Sequence, residues 1–422
     1  MQQVALLDGN TAAEQMKAKG GFDPKLYGDY EHKSFDEKNY FRLGEAGLKV
    51  PTWFGADVKL AYTWTDGVFL NPENTLPAAG QAVAGVEMPL LRGLAFDARR
   101  AQVQQARLVS DANTAEARRM TNDLLLAATE AYWNWAFAYQ IVQVYENSLS
   151  LASTRFEIIR QSFLQGDKPA IDTLESLIQV ENREILLNQA LVEYENTRLD
   201  LSNFLWYEDL VPLELESSRR PQDVPINVLQ NQVASDWLLN HPSLRAIDVK
   251  RRSLDIKERL KRENLKPQLN VAFNFLSEGA DFTPASNGFA ALLNDNYKWG
   301  INFNYPLFTR KERASLQLVR LEQLDNSYKF NQKRLELENK FAAILQQLEQ
   351  TRLQLETQRT INTRYTQLLE AENIKFRIGE SSIFLLNNRE QKLIDAQLKL
   401  QKLEIKVQQL IAKLEWGAGQ LN

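Results

Sequence analysis

Residue types that carry enzyme chemistry are scarce in this chain of 422 residues. Cysteine is absent, which excludes disulfides, thiolate metal sites and cysteine nucleophiles. The only histidines, His32 and His241, are too few for a zinc site built on imidazoles. The sequence has no phosphate-binding glycine-rich loop and no serine in a nucleophile elbow. Carboxylates are plentiful, but solvated helix faces account for them, so we expect no enzyme, no cofactor and no metal.

The charge balance argues against a nucleic-acid partner. The chain has 50 Lys+Arg against 54 Asp+Glu, and no basic tract concentrates the positive charge. Its start, MQQVALLDGN, lacks the basic residues and apolar run of a secretory signal. The most apolar helical segment, AYWNWAFAYQIVQVY over 131–145, is too short and polar to cross a membrane, and it predicts a helix face buried against other helices.

Long stretches of the chain contain neither glycine nor proline, the residues that interrupt regular structure. These stretches are 94–165, 170–211, 309–378 and 380–416. Phe341, Ile344, Leu348 and Leu355 lie three, four and seven residues apart among polar side chains, which is the pattern of a coiled-coil seam. A helix of about 70 residues is roughly 100 Å long. The sequence therefore predicts long helices and an elongated molecule.

An internal duplication relates the two halves of the chain. The paired segments are DPKLYGDY (23–30) with KPQLNVAF (266–273), MPLL (88–91) with YPLF (305–308), and SFLQGDKPAIDTL with KFRIGESSIFLL. In the last pair Gly166 and Gly379 superpose, and each glycine separates two helical stretches. Glycine accepts the positive φ of a tight turn between helices, so we expect one helical hairpin in each half.

Alternating residues predict strands with one apolar and one polar face. The apolar positions are Trp299, Ile301, Phe303 and Tyr305 in YKWGINFNYPLF, and Phe273 and Phe275 in QLNVAFNFL. Such strands of about ten residues suit a transmembrane barrel, and we expect these six side chains to face lipid. One chain has too few strands to close a barrel, and open edges are not stable in lipid, so several chains must contribute. A small soluble β-domain is the alternative.

The first half contains extra residues in its strand region. Pro89 lies 65 positions after Pro24, whereas Pro306 lies 39 positions after Pro267, so the first half has 26 additional residues. They form either an added hairpin or a long loop. The segment before Pro24 is shorter than its counterpart over 241–266, which suggests that residues are missing from the N-terminus.

Taken in order, these motifs resemble those of the TolC-like outer-membrane efflux proteins. The resemblance rests on YPLF and MPLL, on FLQGDKPAIDTLES and FRIGESSIFLLNNRE, on HPSLRA, and on the two-fold repeat. It implies an α+β membrane protein: a homotrimer whose strands, about four per chain and possibly more, form one barrel in outer-membrane lipid. The helices would continue as a tunnel across the periplasm. The protein would be a passive exit duct for efflux or secretion, served by a periplasmic adaptor and an inner-membrane pump.

The repeat and the resemblance together divide the chain into three parts. Residues 1–206 form the first repeat, with strands over about 24–91 and a helical hairpin over 94–206. Residues 207–240 form a connector that joins an equatorial belt around the tunnel. Residues 241–422 form the second repeat, with an entry helix over 241–266, strands over 268–308 and a helical hairpin over 309–416.

The resemblance also implies roles for residues around both glycine turns. An adaptor would dock at the periplasmic tip formed by Gln165, Gly166, Asp167, Ile378, Gly379 and Glu380. Relatives carry acidic rings in the tunnel entrance at the positions of Leu385 and Asn388, whereas this chain has Asp172 and Glu175 at the equivalent places of the first repeat. Their closing contacts use a Tyr and an Arg at the positions of Phe376 and Ser381. This chain therefore lacks the hydroxyl and the cation that would make those links.

The alternative function is a periplasmic coiled-coil adaptor, which also combines helical hairpins with β-domains. An adaptor usually has one hairpin, whereas this sequence predicts two. The absence of a nucleotide-binding motif means that partners must supply the energy for transport.

Overall fold

The computed structural model describes residues 2–207, 211–222, 237–279 and 296–419. The chain divides into two compact units, one of residues 1–117 and 243–332 and the other of residues 118–242 and 333–422. The elements, in chain order, are α1 (Gln2–Lys19), β1 (Lys25–Phe35), β2 (Lys38–Pro51), β3 (Asp57–Asp66), β4 (Gln81–Pro89), α2 (Ala98–Leu164), α3 (Ala170–Ser202), β5 (Trp206–Tyr207), β6 (Val211–Pro212), α4 (Trp237–Asn240), α5 (Pro242–Glu263), β7 (Gln268–Glu278), β8 (Tyr297–Asn304), α6 (Arg310–Arg377) and α7 (Ile383–Gly417).

The four predicted long helices are confirmed. Helices α2 and α6 have 67 and 68 residues, and α3 and α7 have 33 and 35. Each begins and ends within a stretch that lacks glycine and proline, apart from the terminal Gly417 of α7. Among the described helices none has a stretch apolar enough to cross a membrane.

A six-stranded antiparallel sheet lies in the first unit, in the order β1-β2-β3-β4-β7-β8. The sequence predicted about four strands per chain and possibly more, and the described residues give six in this sheet. Four strands precede α2 and two follow α5, because the additional residues of the first half form a hairpin rather than a loop. Strands β3 and β4 precede α2 as β7 and β8 precede α6, so the hairpin β1–β2 is the added pair. The predicted equivalence of DPKLYGDY, which lies at β1, with KPQLNVAF, which lies at β7, is corrected by this order: the counterpart of β7 is β3.

Helices in the first unit pack in antiparallel pairs. Ala18 of α1 packs against Val103 and Ala106 of α2 in a small buried cluster. Helix α5 contacts α6 through a charged pair, in which Lys257 Nζ lies 2.8 Å from Glu322 Oε2. Helix α1 was not predicted from the sequence, because its residues have no marked apolar stripe.

The second unit is a bundle formed by α3, α7 and the parts of α2 and α6 that belong to it. Phe341, Ile344, Leu348 and Leu355 of α6 pack in one core cluster, as their spacing predicted. Their partners on α7 are Leu400, Leu403, Val407, Leu410, Ile411 and Leu414. These apolar side chains hold α6 and α7 together as an antiparallel pair.

The predicted connector 207–240 is only partly described, because 208–210 and 223–236 lie outside the described residues. Its described part begins with the short pair β5–β6. Arg198 of α3 holds the chain that follows, since its guanidinium donates to the carbonyl of Leu215 and lies 2.8 Å from Glu214 Oε1.

Candidate functional site: a two-faced sheet and a pair of helix turns

One face of the sheet is apolar and open to its surroundings. The register pairs Phe273 with Trp299 and Val271 with Ile301, so the apolar residues of β7 and β8 lie on the same face. Trp299 is 59% exposed and Phe303 is 65% exposed, although both are large apolar side chains. The ring centroids of Phe273 and Phe275 lie 4.9 Å apart along β7, and those of Phe273 and Tyr297 lie 5.8 Å apart across the two strands. Five of the six predicted side chains therefore share this face on β7 and β8, and Tyr305 follows the end of β8.

The apolar face extends beyond β7 and β8 to the other strands. The register places Val86 opposite Phe273, Val58 opposite Val86, and Val50 opposite Val58. Further along the same face, exposed side chains include Leu26, Tyr30, Leu60 and Trp64. A monomeric soluble protein rarely exposes so broad an apolar surface, which indicates a binding partner or lipid.

The opposite face of the sheet carries charges of both signs. Lys49 Nζ lies 3.2 Å from Asp57 Oδ2 and 3.2 Å from Glu87 Oε2. Glu45 accepts a hydrogen bond from the Tyr27 hydroxyl at 2.5 Å. Its carboxylate also lies 2.6 Å from Lys59 Nζ. Partly exposed ion pairs contribute little to stability, but they require water on this face.

A turn at residues 93–97 connects β4 to helix α2. The Arg100 guanidinium donates hydrogen bonds to the carbonyls of Gly93 and Leu94. The backbone N–H of Arg100 donates to Asp97 Oδ1 at 2.9 Å, which satisfies a free donor in the first turn of α2. This local network fixes the direction in which the helix leaves the strand.

The two glycine turns have nearly the same geometry. Gly166 has φ 83° and Gly379 has φ 82°, a region that side chains other than glycine seldom adopt. The N–H of Asp167 donates to Ser162 at 2.9 Å, and the N–H of Glu380 donates to Lys375 at 2.9 Å. Both are the long-range bonds of a Schellman motif. The prediction of a glycine turn between the helices of each hairpin is confirmed.

The structure brings the two turns into contact. Lys168 Nζ lies 5.1 Å from the centroid of the Phe376 ring, a cation–π contact. The Ser381 hydroxyl donates to Glu372 Oε1 at 2.6 Å, and this hydrogen bond lowers the pKa of Glu372. Phe376 and Ser381, which replace the family's Tyr and Arg, therefore have partners within one chain. Gln165, Gly166, Asp167, Ile378, Gly379 and Glu380 are all exposed at these turns.

The predicted entrance residues differ in their surroundings. Asp172 and Glu175 are half-buried on α3, and Glu175 Oε1 accepts a hydrogen bond from Asn387 Nδ2 at 3.5 Å. Leu385 and Asn388 are exposed on α7. Exposed apolar side chains surround the two turns: Leu164, Ile171, Leu174, Ile374, Ile378 and Phe384.

A buried polar network, which the sequence did not predict, lies close to these residues. The Arg155 guanidinium of α2 forms an ion pair with Glu390 of α7, and Glu390 is only 4% exposed. Arg155 also donates to Asn387 Oδ1 at 3.2 Å. Arg183 of α3 donates to Gln391 Oε1 at 2.6 Å. These bonds join three helices, and residues so far apart in sequence gave no local signal.

Helix α3 has an exposed apolar stripe with a period of seven residues. Its members are Ile171, Ile178, Ile185, Val192 and Leu199. The buried side of the same helix includes Ser176, Arg183, Ala190 and Arg198. A heptad spacing of exposed apolar residues is typical of a coiled-coil seam, and no helix of the described residues covers this stripe.

Comparison with known proteins agrees with this geometry. Residues 233–419 match the model of the outer membrane efflux protein family. The resemblance inferred from the sequence motifs is therefore confirmed. This match indicates an outer-membrane exit duct for efflux and not an enzyme.

Solved structures of outer-membrane channels are similar in fold to this chain over 99–100% of its length. The VceC protein of Vibrio cholerae has a TM-score of 0.70 at 13% identity, over 99% of this chain and 92% of that one. The MtrE channel of Neisseria gonorrhoeae has a TM-score of 0.67 at 14% identity, over 100% and 86%. The CmeC channel of Campylobacter jejuni has a TM-score of 0.66 at 14% identity, over 99% and 82%. No curated protein matches the chain in sequence.

Proposed function

We propose that three copies of this chain form a passive channel-tunnel through which cargo leaves the periplasm across the outer membrane. The observation that carries the proposal is the sheet, which has an exposed apolar face on one side and an ion-paired polar face on the other. Lipid suits the first face and a water-filled lumen suits the second. Trp299, Ile301, Phe303, Tyr305, Phe273 and Phe275 would then contact lipid.

Trimer formation is supported by two features that a single chain leaves unsatisfied. Among the described residues no strand pairs with the outer edge of β1 or with that of β8. Helix α3 has an outer heptad stripe, which needs a second helix to cover it. A closed ring of identical chains satisfies both requirements at once.

The helix turns are proposed as the end of the duct that meets its partners. An adaptor would contact Gln165, Gly166, Asp167, Ile378, Gly379 and Glu380, and an inner-membrane pump would supply the energy. The exposed apolar side chains around the turns support a protein partner there. The connector over 207–240 would contribute to a belt around the tunnel.

The test begins with extraction of the protein from membranes in detergent. Light scattering should give the mass of three chains, and the particle should conduct ions in a planar bilayer. Removal of detergent should cause aggregation, because the apolar face then meets water. A monomer that stays dispersed without detergent would contradict the duct and favour the periplasmic adaptor.

Asp172 and Glu175 are proposed to set the electrostatic potential at the tunnel entrance. Carboxylates gathered around a three-fold axis attract cations, so Asp172→Asn with Glu175→Gln should lower cation selectivity. The measurement is the reversal potential of the channel under a salt gradient. Asp395, farther along α7, offers a control as Asp395→Asn. An unchanged reversal potential in the double variant would exclude the two carboxylates from the entrance.

A further inference from the structure

The hairpin β1–β2 continues the sheet instead of forming a separate lobe. Strand β2 pairs with β3 without a register shift, from Arg42 opposite Asp66 to Pro51 opposite Asp57. Strand β1 pairs with β2 over nearly its whole length, with one irregularity between Lys33 and Ser34. The hairpin therefore has the backbone hydrogen bonds of ordinary sheet strands.

Side chains on both faces bind the hairpin to β3. On the polar face Glu45 of β2 contacts Lys59 of β3. On the apolar face the indole of Trp64 covers Gly44, so closely that an added Cβ would lie 2.1 Å from Trp64 Cε2. Leu48 lies opposite Leu60 on this same face. The hairpin thus keeps the two-faced character that suits lipid on one side and water on the other.

The added hairpin changes which strands form the open edges. Within the described sheet β1 pairs only with β2, and β8 pairs only with β7. An unpaired edge inside lipid leaves backbone N–H and C=O groups without partners, at a cost of several kcal/mol per group. Because six antiparallel strands alternate in direction, β8 of one copy runs antiparallel to β1 of the next copy in a ring. The two edges can therefore pair.

We propose that β1, and not β3, pairs with β8 of the neighbouring copy, so that a trimer closes a barrel of eighteen strands. This inference rests on the trimeric duct proposed above, and it departs from the four strands per chain that the resemblance implies. Each open edge of the sheet would pair with a second copy of this chain. The surface consists of the outer edges of Lys25–Phe35 and Tyr297–Asn304.

The added strands would widen the outer-membrane part of the duct. With strands about 4.8 Å apart and tilted by about 40°, eighteen strands give a backbone diameter of about 36 Å, against about 24 Å for twelve. Barrels of this strand number enclose an aqueous channel. The wall would carry charges of both signs, such as Lys49, Glu87 and Glu45. The backbone cylinder of the barrel would therefore be about 1.5-fold wider than that of a twelve-stranded barrel.

Cysteine pairs can test which strand meets β8. The chain has no cysteine, so every cross-link comes from the introduced residues. One set of variants combines Gly300→Cys in β8 with a cysteine at Asp29, Glu31 or Lys33 of β1. The matched set combines Gly300→Cys with a cysteine at Ala61, Thr63 or Thr65 of β3. All of these positions lie on the polar face, and a Cβ at Gly300 meets no atom within 4 Å.

We expect oxidation of the detergent-solubilised protein to give covalent trimers on denaturing gels for the β1 set only. Covalent trimers from the β3 set alone, or a trimer that neither set can cross-link, would overturn the proposal while leaving the duct intact. A particle that is not a trimer by light scattering would overturn the duct and this inference together. Electron cryo-microscopy of the native trimer in nanodiscs should show eighteen strands, and twelve would overturn the proposal.

Discussion

His241 is buried in its neutral form. In an unfolded chain at mildly acidic pH its imidazole would carry a positive charge. Burial lowers its pKa to about 4, and Lys333 and Lys340 add to the effect. Since the folded pKa lies below the ordinary value of 6.5, the unfolded chain binds the proton more tightly. The contribution of the neutral His241 to stability is present above about pH 6.5 and is lost as the pH falls toward 4.

We expect the thermal midpoint of helix loss, followed by circular dichroism, to fall between pH 6.5 and pH 4. The shift in pKa corresponds to a loss of up to about 3 kcal/mol. His241→Gln should flatten this part of the pH profile. His32 is the only other histidine and is exposed in β1, so His32→Gln is the matched control and should keep the profile of the original chain.

Gly166 and Gly379 should tolerate asparagine better than alanine. A Cβ at either position meets no atom within 4 Å, so the cost of a substitution comes from the positive φ alone. Alanine in this region costs about 1–2 kcal/mol, whereas asparagine adopts it more readily. Gly379→Ala should therefore speed amide hydrogen exchange at Glu380, whose N–H closes the turn, more than Gly379→Asn does.

Gly9 supplies the control for the glycine substitutions. It lies inside helix α1 and also has open space around a Cβ. Gly9→Ala should leave exchange at the turns unchanged and should strengthen α1, because alanine favours a helix by about 1 kcal/mol over glycine. Equal exchange at Glu380 in the alanine and asparagine variants of Gly379 would contradict the backbone argument.

At the scale of elements, the pair Arg155–Glu390 fixes how α2 and α7 pack. Arg155→Met leaves the carboxylate of Glu390 buried without its cation, and we expect a loss of about 3–5 kcal/mol. Arg155→Met with Glu390→Met should recover most of that loss, because it removes both charges. Chemical unfolding followed by helical circular dichroism measures both effects in a double-mutant cycle.

Arg160 and Glu157 provide a comparison on the surface of α2. This pair lies three residues apart with both side chains about half exposed. Exposed pairs of this kind contribute little to stability because water and salt screen them, so Arg160→Met should change the free energy of unfolding little. A loss at Arg155 as small as that at Arg160 would show that the buried pair does not organise the packing.

The sequence predicted the elements with strong local patterns and missed those that depend on distant residues. The four long helices follow from the positions of glycine and proline, and the seam around Leu348 follows from its spacing. Strands β7 and β8 follow from alternating residues. For the residues of β1–β2 the sequence did not distinguish a hairpin from a long loop, because β1 contains Gly28 and many charged residues. Its place becomes clear only from its pairing with β3.

The same limit applied to the functional sites. The glycine turns could be found in the sequence because a positive φ requires glycine locally. The contact between Lys168 and Phe376 joins the two halves of the chain, and no spacing rule predicts it. The buried network around Glu390 likewise depends on residues from three separate helices. The sequence therefore located the two glycine turns but not the partners of the side chains around them.

For the whole molecule, the outer stripe of α3 leads to a prediction about assembly. Ile185→Glu places a charge in the centre of the proposed seam, on the side of α3 opposite Arg183 and Ala190. We expect it to convert the trimer to monomers of unchanged helical content, measured by light scattering and circular dichroism. Asn182→Glu adds the same charge at an exposed polar position of the same helix and should leave the trimer intact.

The order of the strands also fixes when the sheet can be completed during synthesis. Strands β1 to β4 are consecutive, but β4 pairs with β7, and Asn270 and Glu87, which bond across these strands, are 183 residues apart. Contacts between such distant residues form slowly. Until the second half of the chain is made, the edge of β4 therefore stays unpaired in an aqueous compartment, where it can pair with another nascent chain.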